Sequence, residues 1–151
     1  PQAMWAPASD NWRADGEFIP ASDEDGGGRW HLNPNVPDEG WPLGWEEVQF
    51  QAQCTPFRHL GFFPDMASHW SWMREQIVPG NEALNLFGYT GVGSLALAAR
   101  GAKVTHVDAS KKSVEAGKAN AELSDMRDKP IRWLVDDAAK FTAREVRRER
   151  R

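Results

Sequence analysis

Two short stretches carry residue types at spacings that could do chemistry. Gly88-Tyr89-Thr90-Gly91-Val92-Gly93-Ser94 follows the apolar run Ala83-Leu84-Asn85-Leu86-Phe87, and Asp108 closes a second run, Lys103-Val104-Thr105-His106-Val107, twenty residues after Gly88. Small residues in a tight turn let backbone N–H groups approach a ligand closely, and a carboxylate at the end of the neighbouring strand can accept two hydrogen bonds from a ribose diol. The pattern is one of nucleotide binding, with Asp108 the sharpest single candidate; its plainer role would be capping the helix that follows. The glycine order is G-x-x-G-x-G rather than the G-x-G-x-x-G of dinucleotide sites, and Thr90 occupies the second fingerprint position. A glycine there normally makes room for pyrophosphate. With the bulky Phe87 and Tyr89 in the same turn, a nucleoside carrying an amino-acid tail is easier to accommodate, and S-adenosyl-L-methionine answers that description.

A third acidic tip supports this choice. Asp136-Asp137-Ala138 follows Ile131-Arg132-Trp133-Leu134-Val135. A carboxylate there can accept from the exocyclic amine of adenine, and a free backbone N–H can donate to a ring nitrogen. Asp137 is assigned to adenine and Asp136 to the helix cap, with the two interchangeable at this stage.

The elements that must position these residues read as strand, helix, strand, helix, strand, helix after Gly80. Strands are expected at 83–87, 103–107 and 131–135, with helices over 92–100 and 111–123 and from 138 onward. Gly101 sits where a left-handed helix terminus is wanted, and Ser110 is a plausible N-cap. Such alternation builds a Rossmann-like parallel sheet with ligands beyond its carboxyl ends. Upstream, Met66, Trp70, Met73 and Ile77 fall on one face of a helix that Pro79-Gly80 should end. Before that, irregularly spaced aromatics between turn residues suit short strands. The expected divisions are a small Trp-rich β subdomain over 1–60, a linking helix over 61–80 and an α/β half-domain over 81–151.

Composition agrees with two unlike halves. Residues 1–80 hold twelve acids against four bases and seven of the eight tryptophans, while 81–151 hold ten acids against fourteen bases. The tryptophans are expected to pack a small core, since each aromatic buries roughly 150–250 Å². Asp23-Glu24-Asp25-Gly26-Gly27-Gly28 lacks the alternating ligand spacing of a calcium loop, the four histidines are isolated, and Cys54 is the single cysteine. No metal site is expected, and Cys54, with no base beside it, is not a nucleophile candidate. No run approaches the roughly 18 apolar residues of a membrane span, and no basic-then-apolar leader is present, so a cytoplasmic protein is expected. An opening Pro-Gln and a close inside the charged run Arg144 to Arg151 suggest a fragment.

At this point the residues carry a family resemblance. Leu84-Asn85-Leu86-Phe87-Gly88-Tyr89-Thr90-Gly91-Val92-Gly93-Ser94, Val107-Asp108-Ala109-Ser110 and Asp136-Asp137-Ala138 resemble the class I S-adenosylmethionine-dependent methyltransferases. More narrowly, the Asn-Leu-Phe-x-Tyr-Thr-Gly turn is similar to that of the large-subunit rRNA methyltransferase group, as are Phe57-Arg58-His59-Leu60-Gly61-Phe62-Phe63-Pro64-Asp65 and the Trp70-x-Trp72 pair. Met66 stands where that group usually has Gln. The resemblance implies a cofactor set of Asn85, Phe87, Gly88, Tyr89, Thr90, Gly91, Asp108, Ala109, Asp137 and Ala138. The turn would hold the methionine portion, Asp108 the ribose and Asp137 the adenine. It also implies methyl transfer to a base of RNA, ribosomal RNA in that group. The group's Asp-Pro-Pro-Lys-type motif has no counterpart before Arg151, so no catalytic residue is assigned. Lys140, Arg144, Arg147, Arg148, Arg150 and Arg151 are candidate phosphate contacts or, more simply, a solvated helix face. A NAD-dependent oxidoreductase and a non-catalytic RNA-binding module are the competing expectations.

Overall fold

The computed structural model describes residues 13–21 and 27–148. Trp5, Trp12, the 23–26 part of the acid-glycine turn, Arg150 and Arg151 lie outside the described residues.

The aromatic segments between turn residues form two antiparallel hairpins in separate sheets. β1 (Gly16–Pro20) pairs with β2 (Gly28–Leu32), and β3 (Trp41–Trp45) pairs with β4 (Val48–Ala52). In β4 the period-two pattern is complete: Val48, Phe50 and Ala52 are buried while Gln49 and Gln51 face outward. The helix expected to run to Pro79 is shorter, since a 3-10 turn at Pro64–Met66 precedes α1 (Ala67–Glu75). Met66 thus belongs to the 3-10 turn rather than to the α-helix that carries Trp70 and Met73. After Ile77 the chain is held elsewhere: Val78 N–H donates to the Asn81 side chain at 2.8 Å and Gly80 N–H to the Gly101 carbonyl at 2.8 Å.

The second half follows the expected alternation. β5 (Glu82–Leu86), β6 (Lys103–Asp108) and β7 (Ile131–Val135) form a parallel sheet in that spatial order, with α2 (Val92–Ala99), α3 (Lys111–Leu123) and α4 (Ala138–Arg147) following the successive strands. Every residue of α2 from Val92 to Ala98 is buried, which makes it the core helix. Gly101 adopts φ +89° just beyond its end, and Ser110 accepts from Ser113 N–H at 3.2 Å to cap α3.

One apolar cluster joins the halves: Val48 and Phe50 from β4 pack with Trp70 of α1, Leu95 and Ala96 of α2 and Ala121 of α3. Polar contacts set the register of this packing. Gln51 N–H donates to Asn120 Oδ1 at 2.9 Å, and Asn120 Nδ2 donates to the Thr90 carbonyl at 2.9 Å, so one buried amide ties β4 and α3 to the glycine turn. Arg74 grips Glu47 with a nitrogen 2.7 and 2.9 Å from the two carboxylate oxygens and lies 5.2 Å over the Trp45 ring, fixing α1 to the β3–β4 hairpin. Asn120→Ala leaves a backbone donor and a backbone acceptor unmade, and each such loss costs roughly 1–3 kcal/mol. Urea unfolding should therefore show a loss of about 2–4 kcal/mol for Asn120→Ala.

Candidate functional site

The site begins with a row of side chains across the sheet. Parallel register sets Asn85, His106 and Trp133 side by side on β5, β6 and β7. The Ser94 hydroxyl of α2 sits 2.9 Å from His106 Nδ1 and accepts from Asn85 Nδ2 at 2.9 Å, and the His106 and Trp133 rings are 4.5 Å apart. This row forms a floor onto which glycines pack without side chains. A Cβ on Gly88 would overlap the His106 ring, and one on Gly91 would lie 3.0 Å from Trp133 Cη2. Gly117 of α3 makes the same concession, since its Cβ would fall 2.6 Å from Trp133 Cζ3.

Above the floor, the turn from Phe87 to Gly91 is backbone-strained. Phe87 has φ +57°, Tyr89 φ +49° and Gly91 φ +83°. Only glycine visits this region freely, and a bulky residue there costs roughly 1–2 kcal/mol. The compensation is visible: Gly88 N–H donates to the Val107 carbonyl at 3.0 Å, and Tyr89 N–H donates to Asp108 Oδ2 at 2.9 Å. Asp108 Oδ1 accepts from Ser110 N–H at 2.8 Å. Asp108 thus faces the turn, as the sequence reading requires, and its strand-end role in the Ser110 turn is real as well. Thr90 Oγ1 donates to the Gly61 carbonyl at 2.9 Å, which brings the 57–63 segment against the turn.

Between that segment and the turn lies a cavity of about 160 Å³. Asn85, Phe87, Gly88, Tyr89, Thr90 and Gly91 line it, opposite Phe62, Phe63, Met66, Trp70 and Met73. Six of the ten expected residues therefore meet in one place. Asp108 joins them through Tyr89, while Ala109, Asp137 and Ala138 lie along the tips of β6 and β7, off the cavity wall. Phe87 does not crowd the turn: it is 78% exposed, because its left-handed backbone swings the ring outward. A larger cavity of about 610 Å³ sits on the sheet beside Leu84, Thr105 and Arg132, away from these carboxylates.

The capping assignment at 136–137 is corrected. Asp137 caps α4, its Oδ1 accepting from Lys140 N–H at 2.8 Å, whereas Asp136 is bound by the Arg144 guanidinium, whose hydrogen bond and charge hold that carboxyl below its ordinary range. An extended residue just before the first helical turn is the one whose carboxylate can reach back to the third N–H, and that residue is Asp137.

No family model matches the chain, and comparison with curated proteins gives no match. Solved structures do match. The chain is 44% identical to a SAM-dependent methyltransferase from Agrobacterium tumefaciens, where SAM is S-adenosylmethionine, with a TM-score of 0.86 over 97% of this chain and 47% of that one. The chain thus spans about half the length of that relative. The chain carries the class I SAM-dependent methyltransferase fold. Similarity in fold alone extends to a protein of Streptococcus mutans described as a SAM-dependent methyltransferase, at 22% identity and TM-score 0.70 over 81% of this chain and 32% of that one. It extends further to aTrm5, solved with tRNALeu, at 15% identity and TM-score 0.63 over 83% of this chain and 37% of that one.

Several residues that shape this methyltransferase fold gave no local signal. His106, Asn120 and Trp133 sit inside ordinary strand and helix patterns, and only the packing reveals that they support the turn. Burial pushes the His106 imidazole down to about 4, against the opposing pull of the Asp108 carboxylate and the Tyr89 backbone. Arg144 of α4 is paired with Asp136, just before the cap, and Arg148 with Glu145, so two of the candidate phosphate contacts already have acidic partners. Among the described residues no cluster suits a metal ion, and no helix is long and apolar enough to cross a membrane. Cys54 is partly exposed, and burial raises its thiol pKa, which disfavours the thiolate.

His106 supplies a pH prediction. Its folded pKa lies below the unfolded one, so the unfolded chain binds a proton that the folded chain refuses. Stability is then fully present above about pH 6.5 and falls as pH drops towards about 4. Urea titrations should show the parent losing about 2 kcal/mol more than His106→Gln between roughly pH 7 and pH 5.

Proposed function

We propose that this chain binds S-adenosyl-L-methionine across the carboxyl ends of β5, β6 and β7 for methyl transfer to a base of RNA. Ribosomal RNA in the cytoplasm is the target that the sequence resemblance implies. The observation that carries the proposal is the Asp108 carboxylate held against the glycine turn. Each of its oxygens accepts one backbone N–H, leaving lone pairs on both for a ribose diol.

The remaining residues fit the same ligand. α2 begins at the cavity with no side-chain cap, so its first N–H groups are free to receive the carboxylate of an amino-acid tail, and the helix dipole favours that charge. Asn85 to Gly91 supplies the wall along which the tail would lie. Asp137 commits Oδ1 to α4 and keeps Oδ2 for an exocyclic amine, with Ala109 and Ala138 as backbone neighbours at these tips. When bound, S-adenosylmethionine supplies a methyl group activated on a sulfonium. The chain's own part is to bind, orient and shield, with 61–80 forming one wall and 81–151 the cofactor-holding half. The Agrobacterium relative supports the cofactor class, and the tRNALeu complex of aTrm5 supports RNA as the polymer.

Thermal unfolding tests the proposal. S-adenosylhomocysteine at about 100 times its Kd should stabilise the chain by about 2.7 kcal/mol, and Asp108→Ala should weaken binding at least about tenfold in titration calorimetry. A shift with NAD and none with S-adenosylhomocysteine would instead identify an oxidoreductase.

A further inference from the structure

We infer that Phe57, His59 and Phe63 form a stacking site for an unpaired RNA base at the mouth of the cavity, with His59 Nε2–H as the hydrogen-bond donor to that base. The inference rests on the proposed methyl transfer and names how its substrate is held.

Four rings converge beside the turn. Phe57 and His59 are nearly parallel, 24° apart at 6.4 Å, and His59 lies 5.4 Å from Phe63 and 5.7 Å from Tyr89. This is not a closed core. Phe57 is 65% exposed and Phe63 46%. Exposed aromatic surface gathered at one place marks a binding face rather than a packing need.

Hydrogen bonds fix which nitrogen of His59 carries the proton. Gly61 N–H, which can only donate, points at Nδ1 from 3.2 Å, and Thr55 Oγ1 lies 3.1 Å from the same nitrogen while itself accepting from Phe57 N–H. Nδ1 therefore accepts, and in the neutral ring the hydrogen resides on Nε2. Burial lowers the His59 pKa, in keeping with a neutral ring. Nε2 has no hydrogen-bond partner among the described residues. A wall of aromatic faces with one directed N–H suits a flat π ligand bearing an acceptor on its edge, and RNA readers hold splayed bases in this way.

The cofactor's own adenine is the other flat ring to consider, and topology separates the two. The 57–63 segment is pinned to the turn after β5 by Thr90, whereas Asp136 and Asp137 leave β7, with β6 lying between those strands. Neither Phe57 nor His59 lines the cavity. Two rings at opposite flanks of Asp108 correspond to a cofactor and a substrate.

The test is a fluorescence titration of a single-stranded RNA oligonucleotide carrying 2-aminopurine, alongside calorimetry with S-adenosylhomocysteine, on the parent, Phe57→Ala and His59→Phe. Stacking should quench the probe. Phe57→Ala should weaken RNA binding at least about fivefold and leave the S-adenosylhomocysteine Kd within about twofold. Nitrogen-15 spectra should show the Nε2-protonated ring in the free chain and a shift at Nε2, not Nδ1, when RNA is added. Failure of the parent to bind the oligonucleotide, or RNA binding untouched by Phe57→Ala and His59→Phe, would overturn the inference. So would a loss confined to S-adenosylhomocysteine, which would make the cluster an adenine pocket. If the parent binds RNA through these rings yet takes no S-adenosylhomocysteine, the cofactor proposal fails and the stacking site stands.

Discussion

The structure turns on holding two bulky residues in a left-handed backbone at the end of β5. Phe87 and Tyr89 would relax from that conformation in a free peptide, and the Asp108 carboxylate prevents it by accepting the Tyr89 N–H. An ionised acceptor makes a stronger hydrogen bond than a neutral one, which is what a strained turn needs. The carboxylate proposed to receive a ribose also shapes the wall beside it.

Support for that turn comes from every layer. Beneath it, the Asn85–His106–Trp133 row offers flat rings to Gly88 and Gly91, so that the glycines serve close packing as much as backbone freedom. Beside it, Asn120 relays the position of β4 to the Thr90 carbonyl. In front, Thr90 anchors the aromatic segment through Gly61. The first half of the chain consequently contributes one wall of the cavity, and among its described tryptophans Trp70 is buried against Trp45, with ring centroids 5.3 Å apart, while Trp72, two residues on, faces solvent.

Charge is organised mostly in short-range pairs, with Arg100 of the second half adding to the field on Glu47 of the first. Within the basic run, Arg144 neutralises Asp136, which lies just before α4, and Arg148 is bonded to Glu145. The acidic first half contributes Glu47 to Arg74, and the hydrogen bond of Glu47's own backbone, followed by Arg74, holds that carboxyl below its ordinary range. Exposed pairs of this kind contribute little to stability, whereas the fork on Arg74 is anchored by a largely buried guanidinium stacked on Trp45.

The sequence by itself determined the order of the β5 to α4 elements, the caps at Ser110 and Gly101, and the meeting of the glycine turn with Asp108. These follow from periodicity, capping chemistry and the right-handed crossover, all of which act over a few residues or one supersecondary unit. Tertiary structure decided which of two adjacent acids caps α4, and that His106, Asn120 and His59 matter at all. A helix cap depends on a dihedral angle at one residue, and a buried polar side chain acquires its role from partners such as Gln51 and Thr90, 69 and 30 residues from Asn120. Such partners leave no trace in local spacing, because hydrogen-bond satisfaction is a property of the folded interior and not of the chain's neighbours.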